Sequence, residues 1–214
     1  MRTETLAGRS PYRALSATVL AAATLALTAC GGAEVAAPPQ DPSAGASTQA
    51  GAAEAARIGA AGSGCELPVT FGLAESWQAE AVAPMAPDDP LAELARRGPL
   101  TMVCEIDAKP AGNIGFLRVW TGDGGQARAS LEAFLGTEAR EPAYTELRIG
   151  DRPAVEVTYQ TKSALDDGMK PERAFAVQTA RGIVAVSLDS ADSEEHTEML
   201  PAYELAKRTL TVTR

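Results

Sequence analysis

A short apolar segment near the start of the chain decides how much of the sequence is available to fold. Residues 14–27 are apolar apart from three hydroxyl side chains, and three arginines precede them. The segment is too short to cross a bilayer as a helix, which takes about 20 residues. A positive start followed by a short apolar run is typical of an export signal, so we expect residues 1–29 to be removed from an exported chain.

The apolar segment ends in Leu27-Thr28-Ala29-Cys30. An apolar residue and two small residues before a cysteine resemble the lipobox of bacterial lipoproteins. The resemblance implies that the Cys30 thiol carries a diacylglyceryl group, with acyl chains such as palmitate, and that the chain is anchored to the extracytoplasmic face of the cell membrane. Two acyl chains bury enough methylene groups for stable attachment. An ordinary secretory signal and a retained membrane helix are the alternatives.

The next segment predicts a tether. Residues 31–64 are almost all Gly, Ala, Pro, Ser, Thr and Gln, with Val35 and Ile58 as the large apolar side chains. Such a composition buries too little surface to offset the entropy of ordering. We therefore predict a disordered tether over residues 30–64, in which 52–60 forms at most a transient helix, followed by one domain over residues 65–214.

The exported part of the chain is strongly acidic. The whole chain has a formal net charge of −9, and removing residues 1–29 takes away three arginines and one glutamate, which leaves −11. An acidic surface repels phosphate groups, which argues against nucleic acid as a partner and against adhesion to anionic lipid heads. We therefore expect membrane contact through the anchor alone.

Two cysteines remain in the predicted domain. Because the chain is expected outside the cytoplasm, Cys65 and Cys104 are most simply interpreted as a disulfide. Two unpaired buried thiols are the main alternative. A redox-active pair is less favoured because the sequence has no C-x-x-C spacing.

Apolar periodicity predicts an α+β fold. Alternating apolar and polar residues indicate strands, whereas helical spacing with acidic starts and glycine ends indicates helices. The first helix should turn Leu91, Leu94 and Ala95 inward, and Pro201 should kink or split the last one. Successive hairpins favour a twisted antiparallel sheet with flanking helices. The predicted strands are 68–73, 101–107, 114–120, 147–149, 155–159, 174–179 and 183–188, and the predicted helices are 88–97, 126–135 and 193–209.

Two sequence segments give the predicted domain a family likeness. Val69-Thr70-Phe71 leads to Trp77, and Ile149-Gly150-Asp151-Arg152-Pro153-Ala154 precedes a strand, a late hairpin and a C-terminal helix. This arrangement resembles the PsbP/Mog1-type lipoproteins of actinobacteria, the LpqN/LpqT group, over most of residues 66–212. The resemblance implies a PsbP/Mog1-like sheet with helices packed on it and no defined catalytic residues.

The sequence offers few groups for metal binding or catalysis. His196 is the only histidine, and a helix places it away from the face that Glu195 and Glu198 share. A metal site needs several strong ligands on one face, so we predict a solvated acidic helix start instead. No serine lies in a G-x-S-x-G motif, which disfavours a hydrolase of that type.

Two further motifs predict turns. The glycine-rich run 121–125 lacks the lysine and the spacing of a phosphate-binding loop. Asp166 and Asp167 precede a glycine, and a calcium site that combines either of them with Asp123 has only their charge in its favour. No cofactor and no metal is therefore predicted.

The functional interpretation is a membrane-anchored lipoprotein that presents a non-catalytic binding or accessory domain in the cell envelope. An envelope protein is the expected partner, through exposed sheet residues such as Arg118, and a small apolar molecule is the second choice. Trp77 and Trp120 are candidates to line a ligand cleft, although aromatic residues at strand ends more often pack in a core. The alternative is an envelope hydrolase acting on wall or lipid material, in which His196 or a nearby carboxylate would be essential.

Overall fold

The computed structural model describes residues 51–86, 88–163 and 165–213. The predicted signal peptide, Cys30 and residues 31–50 of the predicted tether lie outside these ranges. The strands are β1 (Ala56–Ile58), β2 (Val69–Leu73), β3 (Gln78–Ala81), β4 (Arg96–Arg97), β5 (Leu100–Asp107), β6 (Gly115–Gly122), β7 (Arg140–Ile149), β8 (Arg152–Lys162), β9 (Met169–Thr179), β10 (Gly182–Ser190) and β11 (Thr211–Val212), and the α-helices are α1 (Ala127–Leu135) and α2 (Ser193–Thr209).

Two sheets make up the β structure of the described residues. The main sheet has the strand order β3-β5-β6-β10-β9-β8-β7, with β4 added beside β5, and a small sheet has the order β1-β2-β11. The strand pairs within both sheets are antiparallel. With two helices packed on the main sheet, the prediction of an α+β fold is confirmed.

The main sheet buries apolar side chains on both faces. One face meets α2 and the small sheet, where Phe71, Phe175 and Tyr203 are buried. The other face meets α1, where Trp120 and Phe134 are buried. We call these the α2 face and the α1 face. Alternate residues of each strand point to opposite faces, so strand register alone assigns a side chain to one face or the other.

The N-terminal boundary of the domain differs from the prediction. Ala56–Ile58, which we expected within a disordered tether, form β1 and pair with β2 from Ala56↔Leu73 to Ile58↔Phe71. Ile58 is buried in the core. The local composition hides this strand because its stability comes from a partner further along the chain and from one buried side chain.

The predicted first helix is also wrong in extent. Only Ala92–Ala95 are helical, as one turn of 3-10 helix, and the chain then leaves to form β4. Ala92 and Ala95 are buried, whereas Leu91 and Leu94 are 55% and 73% exposed instead of facing inward. A single turn is too short to bury a full apolar stripe.

Helix α2 begins and ends where the sequence predicts. The Asp192 side chain accepts a hydrogen bond from the Glu195 amide at 2.9 Å, and the last turn carries Lys207 and Arg208, which suits the helix dipole. Pro201 lies inside the helix without splitting it. No helix among the described residues is long and apolar enough to span a membrane.

The two ends of the main sheet carry different parts of the chain. The connections 108–114 and 163–168 lie at one end, where α2 also begins. Helix α2 runs back along the sheet, and the Arg208 Nη2 atom donates a hydrogen bond to the carbonyl oxygen of Ala52 at 3.2 Å. We call the end at Ala52 the root end, because the chain enters the domain there, and the opposite end the distal end.

Candidate functional site

Beyond helix α1, the α1 face carries a group of charged side chains that the sequence did not lead us to expect. Strand register places Glu105 opposite Arg118, and Arg118 opposite Ser187. We call this group the ionic cluster. It consists of Arg97, Glu105, Arg118, Lys170, Glu172 and Asp189.

Arg118 lies at the centre of the ionic cluster. Its Nε atom is 2.7 Å from Glu105 Oε1, and its Nη1 atom is 3.1 Å from Asp189 Oδ2. Burial alone would lower the pKa of Arg118, but Asp189 and Glu105 raise it above its usual value. The side chain is 23% exposed and engaged with two carboxylates, so it is not the freely exposed sheet residue that we predicted.

Lys170 and Glu172 form the most buried ion pair of the cluster, with side chains 8% and 3% exposed. Pairing of β9 with β10 ends at Leu188↔Arg173, whereas β9 stays paired with β8 to Met169. In the gap that opens, Glu172 Oε1 accepts a hydrogen bond from the Ser190 amide at 3.3 Å. Burial lowers the pKa of Lys170, and Asp189 acts in the opposite direction.

Arg97 closes the cluster from β4. Its guanidinium lies 5.3 Å from the Trp120 ring centre and 5.0 Å from that of Phe134, and it reaches Asp189 at 3.6 Å. Burial, followed by the charge of Asp189, raises the pKa of the neighbouring Tyr159 hydroxyl. The phenol therefore stays protonated at neutral pH.

The structure corrects the prediction for His196. The residue is 4% exposed rather than solvated, because α2 turns it toward β9. Burial first, and then Arg173 and Lys170, lower the pKa of His196 to about 4, so the imidazole is neutral at physiological pH. Within the described ranges, His196 Nδ1, Glu172 Oε2 and Arg173 Nε are buried atoms without a hydrogen-bond partner.

The two tryptophans proposed for a ligand cleft do not come together. Trp77 is buried with the core of the α2 face, and Trp120 is buried with the core of the α1 face. The Trp120 indole donates a hydrogen bond to Ser187 Oγ at 3.0 Å, and its ring meets that of Phe134 edge-on at 5.2 Å. Both side chains are core residues, and the predicted cleft between them is wrong.

The predicted disulfide is present. Cys65, which precedes β2, is bonded to Cys104 in β5, with Cα atoms 5.9 Å apart. The bond ties the small sheet to the main sheet, and both residues are buried. The three aspartates considered for calcium are separated, because Asp123 follows β6 at the root end while Asp166 and Asp167 lie in the distal connection.

An open cleft at the root end is a further candidate for ligand binding. It has a volume of about 550 Å³ and lies between the start of α1 and the β7–β8 hairpin. Its lining mixes Arg128, Arg148, Glu146 and Gln178 with a few apolar side chains. Arg128 is already stacked over Tyr144 at 3.9 Å. Such a lining differs from the mostly apolar pockets that hold small apolar molecules.

The chemistry that these groups can perform is limited by their mutual engagement. In the ionic cluster, acids and bases face one another at ion-pair distances rather than an open cavity. Among the described residues, no three His, Cys, Asp or Glu side chains are grouped so that they could hold a metal ion. The cluster is arranged to hold strands and helix together, and sequence periodicity missed it because its members come from four strands.

Comparison with known proteins gives one family match. The model of a family described as uncharacterised lipoprotein matches residues 35–210, which include nearly all of the described residues. No curated protein sequence matches the chain.

Two solved structures are similar to the chain in fold. The solution structure of the cyanobacterial PsbP protein from Synechocystis sp. PCC 6803 aligns with a TM-score of 0.51 and 12% identity, covering 79% of this chain and 99% of that one. LpqN from Mycobacterium tuberculosis, described as involved in cell envelope biogenesis, aligns with a TM-score of 0.40 and 13% identity, covering 68% and 83%. The first alignment confirms the predicted PsbP-like fold.

Proposed function

Because the chain belongs to the family of uncharacterised lipoproteins that residues 35–210 match, we propose that lipid on Cys30 holds it on the extracytoplasmic face of the cell membrane, where it presents a non-catalytic binding domain. Family membership supports an envelope lipoprotein. The attachment residue, the membrane face and the binding role are the finer parts of the proposal.

The anchor is supported by the run Leu27-Thr28-Ala29-Cys30, which follows a positive start and a short apolar segment. The acidic charge of the exported part supports the same conclusion, since the domain surface has little attraction for anionic lipid heads. Two acyl chains on one thiol supply the affinity that the surface does not.

Cell fractionation of the full chain tests the anchor. Wild type should be recovered with membranes, and Cys30→Ser should be recovered in the soluble extracytoplasmic fraction or as an uncleaved precursor. Thr28→Ser is the matched control, because it keeps a small residue before the cysteine and should leave the protein in the membrane fraction. Mature Cys30→Ser that still fractionates with membranes would contradict the anchor.

The observation that carries the binding role is the engagement of the buried polar groups with one another. Arg118 is held by Glu105 and Asp189, and Lys170 by Glu172, in the part of the domain where charged groups are most concentrated. His196 is neutral and buried behind them. Groups fixed in this way support the fold, which leaves the outer surface to act by binding.

A turnover assay distinguishes binding from the hydrolase alternative. The detergent-extracted mature protein is incubated with cell-wall material and with envelope lipids, and products are followed by mass spectrometry. We expect no time-dependent product. Product formation that His196→Gln or Glu195→Gln abolishes, while the melting temperature stays within a few degrees of wild type, would replace the binding role with catalysis.

A further inference from the structure

Three large apolar side chains are exposed at the distal end, one or two from each of two connections. Ile114 is 59% exposed, Leu165 is 62% exposed and Met169 is 49% exposed. Ile114 lies in the β5–β6 connection, and the other two lie at the tip of the β8–β9 hairpin. Scattered exposed apolar residues are ordinary, but several at one end of a sheet mark an interaction surface.

The two connections are held together by the backbone of one residue. The Ala191 amide donates to the carbonyl oxygen of Ile114 at 3.1 Å, and the Ser163 hydroxyl donates to the carbonyl oxygen of Ala191 at 3.5 Å. Ser163 Oγ in turn accepts from the Leu165 amide at 3.2 Å. The apolar side chains of the two connections are therefore presented side by side.

Helix α2 fixes the first of these connections. Glu195 Oε2 accepts from the Ile114 amide at 2.8 Å, and Glu198 Oε2 accepts from the Asn113 side-chain amide at 2.9 Å. Contact residues on hydrogen-bonded supports lose little entropy when they bind, because they are already in place. The distal end thus has the construction of a preformed contact surface.

The charge around these apolar side chains is acidic. Four exposed carboxylates belong to this end, against two exposed lysines. Lys162 is already within 4.0 Å of Asp167. The four carboxylates are Asp166, Asp167, Glu194 and Glu198, and the lysines are Lys109 and Lys162.

This acidic rim decides between possible occupants. A second copy of the chain would bring like charge against like charge, which is unfavourable in an interface. Anionic lipid heads are disfavoured for the same reason. The N-terminal segment 31–50 is also a poor fit, because its ionisable residues are the acidic Glu34 and Asp41 and the chain enters the domain at the opposite end.

We infer that the distal end, formed by Ile114, Leu165 and Met169 within the acidic rim, is a docking surface for a protein partner whose contact patch is apolar at its centre and basic at its edge. The inference rests on the proposed binding role and deepens it. Apolar burial would supply affinity and the acidic rim would select the partner by charge. Its position away from Ala52 keeps the surface clear of the lipid-anchored end.

Photo-crosslinking in cells that produce the full, anchored chain tests this docking surface. A photoreactive amino acid is placed at Leu165 or Ile114, and at Leu94 as a control that is 73% exposed beside β4. We expect one discrete protein adduct from Leu165 and from Ile114 and none from Leu94. Mass spectrometry of the adduct should map the contact to a partner segment rich in lysine or arginine.

Charge reversal provides the second arm. Asp166→Lys with Asp167→Lys should weaken the Leu165 adduct at least about tenfold, because it removes the rim charge that attracts the partner. Asp88→Lys with Glu93→Lys changes the same number of exposed charges elsewhere and should leave the adduct unchanged. Exposed substitutions of this kind typically change stability by less than about 0.5 kcal/mol, which a melting curve verifies.

Each other result overturns the docking surface. Adducts with lipid, adducts with a second copy of the chain, or an adduct that survives charge reversal would each do so. An adduct from Leu94 or from Gln178 in the root-end cleft, without one from Leu165, would remove the distal surface but leave the binding role standing. Failure of all four positions to give an adduct would count against both proposals.

Discussion

The α2 face and the α1 face of the main sheet are built from different chemistry. The α2 face is closed by an apolar core that contains the Cys65–Cys104 disulfide. The α1 face is apolar only under α1, and beyond the helix it is filled by the ionic cluster. The comparison teaches that one face gains its stability from burial, whereas part of the other depends on every charge keeping its partner.

The largest effect should come from removing one member of the buried pair on the α1 face. Glu172→Ala leaves the Lys170 ammonium without its partner at 8% exposure, and such a change typically costs about 3–5 kcal/mol. The free energy of unfolding from urea titration measures it. Arg128→Ala, which breaks an exposed pair with Glu132, is the matched control and should cost about 0.5 kcal/mol or less.

A paired replacement sharpens this prediction. Lys170→Met combined with Glu172→Leu removes both charges and should recover most of the lost stability, since a buried ion pair replaced by apolar groups is often neutral. A double variant as unstable as Glu172→Ala would show that the cluster is more than a matched pair.

On the α2 face, loss of the disulfide should have the next largest effect. Cys65→Ser with Cys104→Ser opens a cross-link between residues 39 apart in sequence, and loss of such a constraint typically costs about 2–4 kcal/mol. The measurement is again urea unfolding, with reduced wild type as the comparison. Equal stability of the oxidised wild type and the double variant would contradict the prediction.

His196 should make stability depend on pH. The folded pKa of about 4 lies below the ordinary value of 6.5, so the unfolded state takes up a proton first as the pH falls. The contribution is complete above about pH 6.5 and is lost progressively down to about pH 4, for a total of about 2–3 kcal/mol. Parallel unfolding curves of wild type and His196→Gln measure this part of the slope, and identical slopes would contradict it.

The smallest effect is expected where α2 meets the sheet. Tyr203 donates a hydrogen bond to Glu156 Oε1 at 2.8 Å, and Lys207 Nζ contacts the same oxygen at 2.8 Å. Tyr203→Phe removes one donor while Lys207 still engages the carboxylate, so the expected cost is about 1 kcal/mol. A loss above about 3 kcal/mol in urea unfolding would mean that Lys207 does not take over.

Local sequence was sufficient for elements with a strong period or clear ends. Helix α2 has its acidic start, basic end and helical spacing within one segment, and α1 ends at Gly136 as predicted. The alternation of Val155, Val157 and Tyr159 correctly marked the buried side of β8. In each case the information lies within a few turns or residues of the element itself.

What the sequence did not reveal depends on partners that lie far away along the chain. β1 exists because β2 pairs with it, and β7 extends to Arg140 along β8 although its side chains are largely exposed. The burial of His196 depends on β9, and the ionic cluster assembles from four strands. Such features follow from register and packing, which periodicity in one segment does not encode.

Intact mass spectrometry of the protein extracted from membranes tests the central claim most directly. The account predicts a chain that begins at Cys30, carries a diacylglyceryl group or a more heavily acylated form on that residue, and is lighter by two hydrogens for the Cys65–Cys104 bond. A membrane-derived chain that retains residues 1–29, or one that begins elsewhere without added lipid, would contradict it.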